Sequence, residues 1–341
     1  MIEKLCGIPV TGIIPYIQAD IEDEDSLSAR LNAREKEEGA ALDIAVIRFP
    51  RLSNFTDFQA FSCLPGVSVR YVEKMSELSA PDLIILPGTK NTIEDLLWMR
   101  QNGLEAAILK LADRRVPVWG ICGGYQMMGE VLVDEKGVES DLPSRTSGMG
   151  LLPLKTEFEE EKIRTRVEGA FGQLDGCLGG LSGKSIEGYE IHMGRTYIDR
   201  EEGAADTARI VSWRREPEIC RPMDYVMETG KDRLSSRQAR MDGWNRGNIY
   251  GTYVHGIFDS PGIAGAVAEA LAAAKGLCLE QAADMDYRTY RQQQYDKLAE
   301  SLRENLDMAA VYRMMGISRK GKGEEKPDDG YTVGTGTAGR Y

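Results

Sequence analysis

The sequence predicts an α/β fold built on a mostly parallel sheet, with antiparallel strands added beyond its middle. Three observations carry this reading. Short apolar runs alternate with helix-periodic stretches between residues 42 and 121, the pattern of parallel strands covered on both faces. One of these runs ends in a sharp, glycine-flanked turn around Cys122. Past that turn the texture changes to short strands joined by glycine-rich turns.

Taken in order, residues 42–49 (LDIAVIRF), 67–72 (VSVRYV) and 82–86 (DLIIL) read as strands, the third closing on Pro87-Gly88-Thr89. Residues 91–99 and 103–112 are apolar at helical spacing, with Asn91 or Thr92 as N-cap. Residues 116–121 form the strand that meets Cys122. Residues 151–156, 164–170, 188–198 and 208–213 read as antiparallel strands. Residues 201–245 contain a polar, irregular insertion, expected as a surface loop or a flap facing a partner. Residues 248–254 (NIYGTYV) form a strand ending at His255-Gly256, and helices follow at 263–274 and 286–315. Upstream, residues 8–17 (IPVTGIIPYI) are a strand-like run, followed by an acidic segment and a polar helical stretch. Residues 317–341 are polar and glycine-rich and are expected to be disordered. The G-x-G-x-x-G match at 334–339 lies in that tail with no strand before it and no room for a helix after it, so no dinucleotide site is expected there.

The composition, 42% hydrophobic and 28% charged, is that of a soluble globular protein. A net charge of −12 leaves no basic face to meet phosphates, so nucleic acid is not an expected partner. No apolar stretch approaches the ~18 residues a membrane span needs, so no membrane partner is expected either. The six cysteines show no C-x-x-C and no zinc spacing, and no metal site is expected. Reduced thiols and the absence of a secretory layout at MIEKLCGIPVTG suit the cytoplasm.

The chemistry centres on Gly120-Ile121-Cys122-Gly123-Gly124, a nucleophile elbow with cysteine in the place of serine. A side chain at either flanking glycine would collide with neighbouring backbone. The helix that follows favours thiolate, the nucleophilic form. The other five cysteines, Cys6, Cys63, Cys177, Cys220 and Cys278, read as small core residues. A cysteine nucleophile needs a base, and the chain has two histidines, His192 and His255. His255 stands at the end of the more regular strand. Gly88-Thr89 ends a neighbouring strand; its N–H groups, with that of Gly123, could form an oxyanion hole, or the segment could be an ordinary strand-to-helix turn.

The motifs LPGTKNT (86–92), GICGGYQMMG (120–129), GYEIHMGRT (188–196) and GTYVHGIFD (251–259) resemble the glutamine amidotransferase domain of the cobyric acid synthase family, in order and spacing. The resemblance implies a flavodoxin-like, doubly wound, mostly parallel sheet of the class I glutamine amidotransferase type. It implies that Cys122 attacks glutamine and forms a γ-glutamyl thioester, that His255 serves as base and acid, and that Gly88, Thr89 and Gly123 line the oxyanion hole. Gln126, Glu190, His192 and Arg195 become substrate-binding candidates; His192 could instead face a synthetase domain or be a structural strand residue. The resemblance also implies division into a 1–40 remnant of an upstream synthetase domain plus linker, a 41–316 amidotransferase domain and a 317–341 tail. The ammonia would amidate side-chain carboxylates of adenosylcobyrinic acid a,c-diamide, a corrinoid, on a P-loop synthetase partner that holds ATP and Mg; no cofactor is expected on this chain. Related amidotransferases orient the histidine with a glutamate two residues later, where this sequence has Ile257. The orienting group is left open between another residue, Asp259 among them, and water. Two other readings stand beside this one: an amidotransferase serving a different ligase, such as one amidating a cell-wall precursor, and an inactive fragment that binds a partner.

Overall fold

A computed structural model describes residues 2–17, 19, 29–140, 143–198, 223–228, 240–279 and 287–316. They fall into two compact units, one formed by the described residues before 20 and from 294 on, the other by those between.

In the smaller unit, helix α1 (Ile2–Cys6) leads into extended chain. Residues 8–17 form no strand; Gly12 makes a single bridge to Leu306, and the Asp307 N–H donates to the Thr11 carbonyl at 2.6 Å. The prolines at 9 and 15 remove the donors a ladder would need.

The larger unit is built on a six-stranded sheet. Its parallel strands are β1 (Leu42–Ile47), β2 (Val67–Val72), β3 (Leu83–Leu86) and β4 (Val118–Ile121). Short helices α2 (Gln59–Ser62) and α3 (Met75–Leu78) lie among them. Helices α4 (Thr92–Gln101) and α5 (Leu104–Asp113) link β3 to β4, and Asn91 caps α4 by accepting the Glu94 N–H at 2.9 Å. Helix α6 (Gly123–Met127) follows the elbow. The second sheet holds β5 (Val131–Asp134), β6 (Ser144–Ser147), β7 (Lys155–Phe171), β8 (Ser185–Tyr197), β9 (Met223–Glu228) and β10 (Arg240–Asp242). The chain then returns to the first sheet with β11 (Trp244–Arg246) and β12 (Ile249–Thr252), followed by helix α7 (Ile263–Ala274). Helix α8 (Tyr287–Asn305), from Gln294 on, and helix α9 (Met308–Met314) belong to the smaller unit.

The first sheet runs β11-β12-β4-β3-β1-β2 and is parallel except at the β11 edge. Its parallel order, β2-β1-β3-β4-β12, is that of a flavodoxin-like doubly wound sheet. Both faces are buried, as the apolar runs predict. Ile44, Val46, Ile85, Trp119 and Ile121 pack in one core, and Ala45, Ile47, Ile84, Leu86 and Val118 in the other. The second sheet is mainly antiparallel, with β5 and β7 parallel.

Two readings change in detail. The short strands expected at 151–156 and 164–170 are one 17-residue strand, β7, bulged between Glu157 and Lys162 against β8. The 201–245 insertion is partly regular, since β9, β10 and β11 come from it. The strand expected at 208–213, the acidic segment at 20–25 and the 317–341 tail with its glycine motif lie outside the described residues.

Candidate active site

The carboxyl ends of β3, β4 and β12 converge, where open α/β sheets place their ligands. Cys122 follows β4 with φ 52° and ψ −111°, a left-handed conformation rare for a side chain other than glycine. The glycines around it are demanded by space. A Cβ at Gly124 would stand 2.0 Å from the Leu86 carbonyl oxygen, and one at Gly120 would stand 2.8 Å from the Tyr125 backbone. Two bonds fix the turn: the Cys122 N–H donates to the Thr252 carbonyl at 2.9 Å, and the Gly124 N–H to the Pro87 carbonyl at 3.0 Å. The thiol points toward the Ile191 carbonyl of β8 at 3.6 Å.

His255 is buried just beyond β12. Its Nδ1–H donates to Asp57 Oδ2 at 2.7 Å, and the second carboxylate oxygen accepts the Gly256 N–H at 3.1 Å. The orienting group left open by the sequence is therefore Asp57, 198 residues away in the chain. It stands on a 3-10 turn, Phe55–Phe58, after β1. Ile257, where related enzymes carry a glutamate, is a fully buried core residue. Burial alone would favour a neutral ring, but the charge and hydrogen bond of Asp57 outweigh it and raise the His255 pKa to about 10. The nearby thiol of Cys122 adds to that rise, although Nε2 makes no hydrogen bond in this state.

Gly88, Thr89 and Gly123 lie together beside this pair. A Cβ at Gly88 would be 2.9 Å from His255 Cε1, and one at Gly123 would be 3.2 Å from the Thr89 nitrogen. Their N–H groups donate to no acceptor among the described residues. The Gly88 carbonyl accepts the Ser53 N–H and the Lys90 N–H donates to Arg51, so the 88–90 turn is tied to the 51–57 loop that carries Asp57. Buried Asp95 accepts the Thr89 hydroxyl and the Arg51 N–H from below.

Residues 43–263 match the CobB/CobQ-like glutamine amidotransferase domain. The chain belongs to that family. Over 315 residues it is 46% identical to a cobyric acid synthase of Ruminiclostridium cellulolyticum, covering 92% of this chain and 56% of that protein. It is 42% identical over 314 residues to a cobyric acid synthase of Lachnoclostridium phytofermentans, covering 92% and 57%. The chain thus spans little more than half the length of these curated relatives. Among solved structures, PurLQS from Thermotoga maritima aligns at TM-score 0.40 and 20% identity, over 63% of this chain and 87% of that one.

Within this amidotransferase domain the remaining candidates separate. Gln126 is buried and its side-chain amide is engaged: Nε2 donates to the Met193 carbonyl at 2.8 Å and to the Tyr253 hydroxyl at 3.2 Å, and Oε1 accepts the Thr92 hydroxyl at 3.0 Å. His192 is also buried and stacks on Tyr253, with ring centroids 3.6 Å apart. Its Nδ1 is 3.2 Å from the Gly194 carbonyl. Gln126 and His192 thus meet at Tyr253 behind α6. Glu190 is buried near Asp242, whose carboxyl is raised first by burial and then by the Glu190 charge. Arg195 is exposed on β8 and its side chain is engaged elsewhere, pairing with Glu159 at 3.2 Å.

Two residues at the site were not read from the sequence, Asp57 and Glu139. The Glu139 carboxylate accepts the Thr92 N–H at the start of α4, and its carbonyl accepts Asn91 Nδ2 at 2.6 Å. Its loop is shaped by Asp134, which accepts the N–H groups of Val138, Glu139 and Ser140. Burial raises the Glu139 pKa to about 6, with Asp134 and Asp95 adding to the rise and the Thr92 N–H opposing it. Among the described residues Glu139 makes no ion pair.

Proposed function

We propose that the chain is the glutamine-hydrolysing part of a cobyric acid synthase-type ligase. The observation that carries this is the Cys122–His255–Asp57 assembly at the strained elbow, in a chain of the glutamine amidotransferase family. The Cys122 thiolate attacks the carboxamide carbon of glutamine, and the negative oxygen that forms sits among the N–H groups of Gly88, Thr89 and Gly123. The imidazolium of His255 gives its Nε2 proton to the leaving nitrogen, ammonia departs, and a γ-glutamyl thioester remains. His255, now neutral, takes a proton from water as it attacks the thioester, and glutamate leaves. Asp57 holds the ring in the right tautomer throughout. Glu139, which makes no ion pair among the described residues, suits the α-ammonium group of glutamine; Gln126 and His192 support the pocket wall through Tyr253.

In this reading the ammonia serves ATP-dependent amidation of corrinoid side-chain carboxylates, those of adenosylcobyrinic acid a,c-diamide, in cobalamin biosynthesis. ATP and Mg belong to the synthetase half, which is the partner, and the setting is the cytoplasm. The test is glutamate release from glutamine, measured for the chain alone and with a cobyric acid synthase synthetase half plus ATP and the corrinoid. Release that depends on Cys122, with amide formed on the corrinoid, is the expected result. Release that persists in Cys122→Ala overturns the mechanism, and release without corrinoid amidation overturns the substrate assignment.

A further inference from the structure

We infer that Tyr189 and Asn54 form a clasp that positions the His255–Asp57 pair against Cys122, an inference that rests on the reading of Cys122 and His255 given above. The ring of Tyr189 lies along the imidazole of His255, with centroids 5.3 Å apart and planes 20° from parallel. The two residues also exchange both backbone hydrogen bonds, Tyr189 N–H to the His255 carbonyl at 3.1 Å and His255 N–H to the Tyr189 carbonyl at 2.8 Å. At the far end of the ring the hydroxyl accepts a hydrogen bond from Asn54 Nδ2 at 2.8 Å. Asn54 itself is left-handed, with φ 53° and ψ 42°, and its carbonyl accepts the Asp57 N–H at 3.1 Å. A single side chain thus joins the strand end that carries His255 to the turn that carries Asp57.

Three physical effects follow. The ring stands between the pair and solvent: Tyr189 is 39% exposed, whereas the His255 and Asp57 side chains are 1% and 3% exposed. Excluding water strengthens the attraction of Asp57 for the imidazolium. The face of the ring carries negative quadrupole density and favours the charged imidazole. Asparagine is among the few side chains that occupy the left-handed region readily, so the clasp residue also fits the turn it must shape. The charged and titratable groups that face His255 are Asp57 from the 3-10 turn, Cys122 from the elbow and Tyr189 from β8, with Asp259 beyond the Tyr189 ring.

The test is the rate at which iodoacetamide alkylates Cys122, read by peptide mass mapping across a pH series. This reports the thiolate–imidazolium pair whether or not the chain turns over glutamine alone. Tyr189→Leu removes the ring and the clasp, and slows alkylation at neutral pH roughly tenfold, the size a desolvated cation–π contact supports. Tyr189→Phe keeps the ring and restores most of the rate. Asn54→Gly keeps the left-handed turn but removes the amide, and matches Tyr189→Phe. Circular dichroism melts check that each variant is folded. A Tyr189→Leu profile that superimposes on the wild type, while His255→Asn shifts it, overturns the clasp and spares the Cys122–His255 pairing. Profiles unmoved in both variants overturn the pairing, and the clasp with it. If Tyr189→Leu does not fold, Tyr189→Met, which also removes the ring, takes its place, and a wild-type profile in that variant overturns the clasp.

Discussion

Asp57 decides the chemistry of His255. A histidine buried without a carboxylate would be neutral at physiological pH, and it could not protonate a leaving nitrogen. Replacing Asp57 by Asn removes the charge and leaves the geometry, and glutamate release falls by about 10²–10⁴-fold, as when the third member of a triad is neutralised. The same substitution changes stability. The His255 pKa is raised in the folded state, so its contribution is fully present below the unfolded value near 6.5 and is lost as pH climbs through about 10. At pH 7, breaking this buried pair costs roughly 3–5 kcal/mol, and the alkaline loss of stability seen in the wild type flattens in Asp57→Asn. Thermal melts of the two proteins at pH 7 and above measure both effects. In the proposed mechanism Glu139 holds the α-ammonium group of glutamine. Its carboxylate must be ionised to hold an ammonium group, so KM for glutamine rises as pH falls below about 6. Glu139→Gln raises KM by about ten- to a hundred-fold with little change in kcat, the worth of one charged hydrogen bond. Steady-state kinetics as a function of pH check both statements.

The elbow is the element in which sequence and structure agree most closely. Gly120-x-Cys122-x-Gly124 reads as a strained strand-to-helix turn because only glycine leaves room for the backbone, and the positive φ of Cys122 and the 2.0 Å approach at Gly124 bear that out. Gly124→Ala therefore forces Leu86 and α6 apart. It destabilises the protein by about 1–3 kcal/mol and lowers glutamate release together with it, measured by melts and by the release assay. The four parallel strands up to Ile121 and the N-cap of α4 were legible for the same reason: their signals are local periodicity and local backbone demand. Asp57 was not legible. It follows β1 in the segment RLSNFTDFQ, and nothing local to that segment points to a histidine 198 residues later. Glu139 was hidden in the same way, in a loop whose shape depends on Asp134. Arg195 shows the opposite failure. It lies in the motif with Glu190 and His192, but it follows Gly194, whose φ is 85°, and its exposed side chain pairs with Glu159.

At the scale of the whole molecule, the return of β12 to the parallel sheet assembles the site. The chain leaves that sheet after β4, builds the second sheet, and comes back to lay β12 beside β4 in register from Ile249 to Thr252. That pairing sets His255 beside Cys122. Trp119 of β4 secures it, stacking on Tyr250 of β12 at 5.3 Å and meeting Phe171 of β7 and Phe258 of the turn after His255 at 6.2 and 5.0 Å. Trp119→Ala costs about 3–5 kcal/mol in a denaturant titration, and a surface replacement such as Lys136→Ala serves as the neutral control. The central claim is that one cysteine of six, Cys122, has been made a nucleophile for glutamine by His255 and Asp57. The direct measurement is peptide mapping after exposure to a diazoketone analogue of glutamine, whose electrophilic carbon stands where the carboxamide would. The expected result is an adduct on Cys122 alone, suppressed by glutamine and formed far more slowly in His255→Asn. An adduct spread over Cys63, Cys177 and Cys278, or one on Cys122 that glutamine does not suppress, would contradict it.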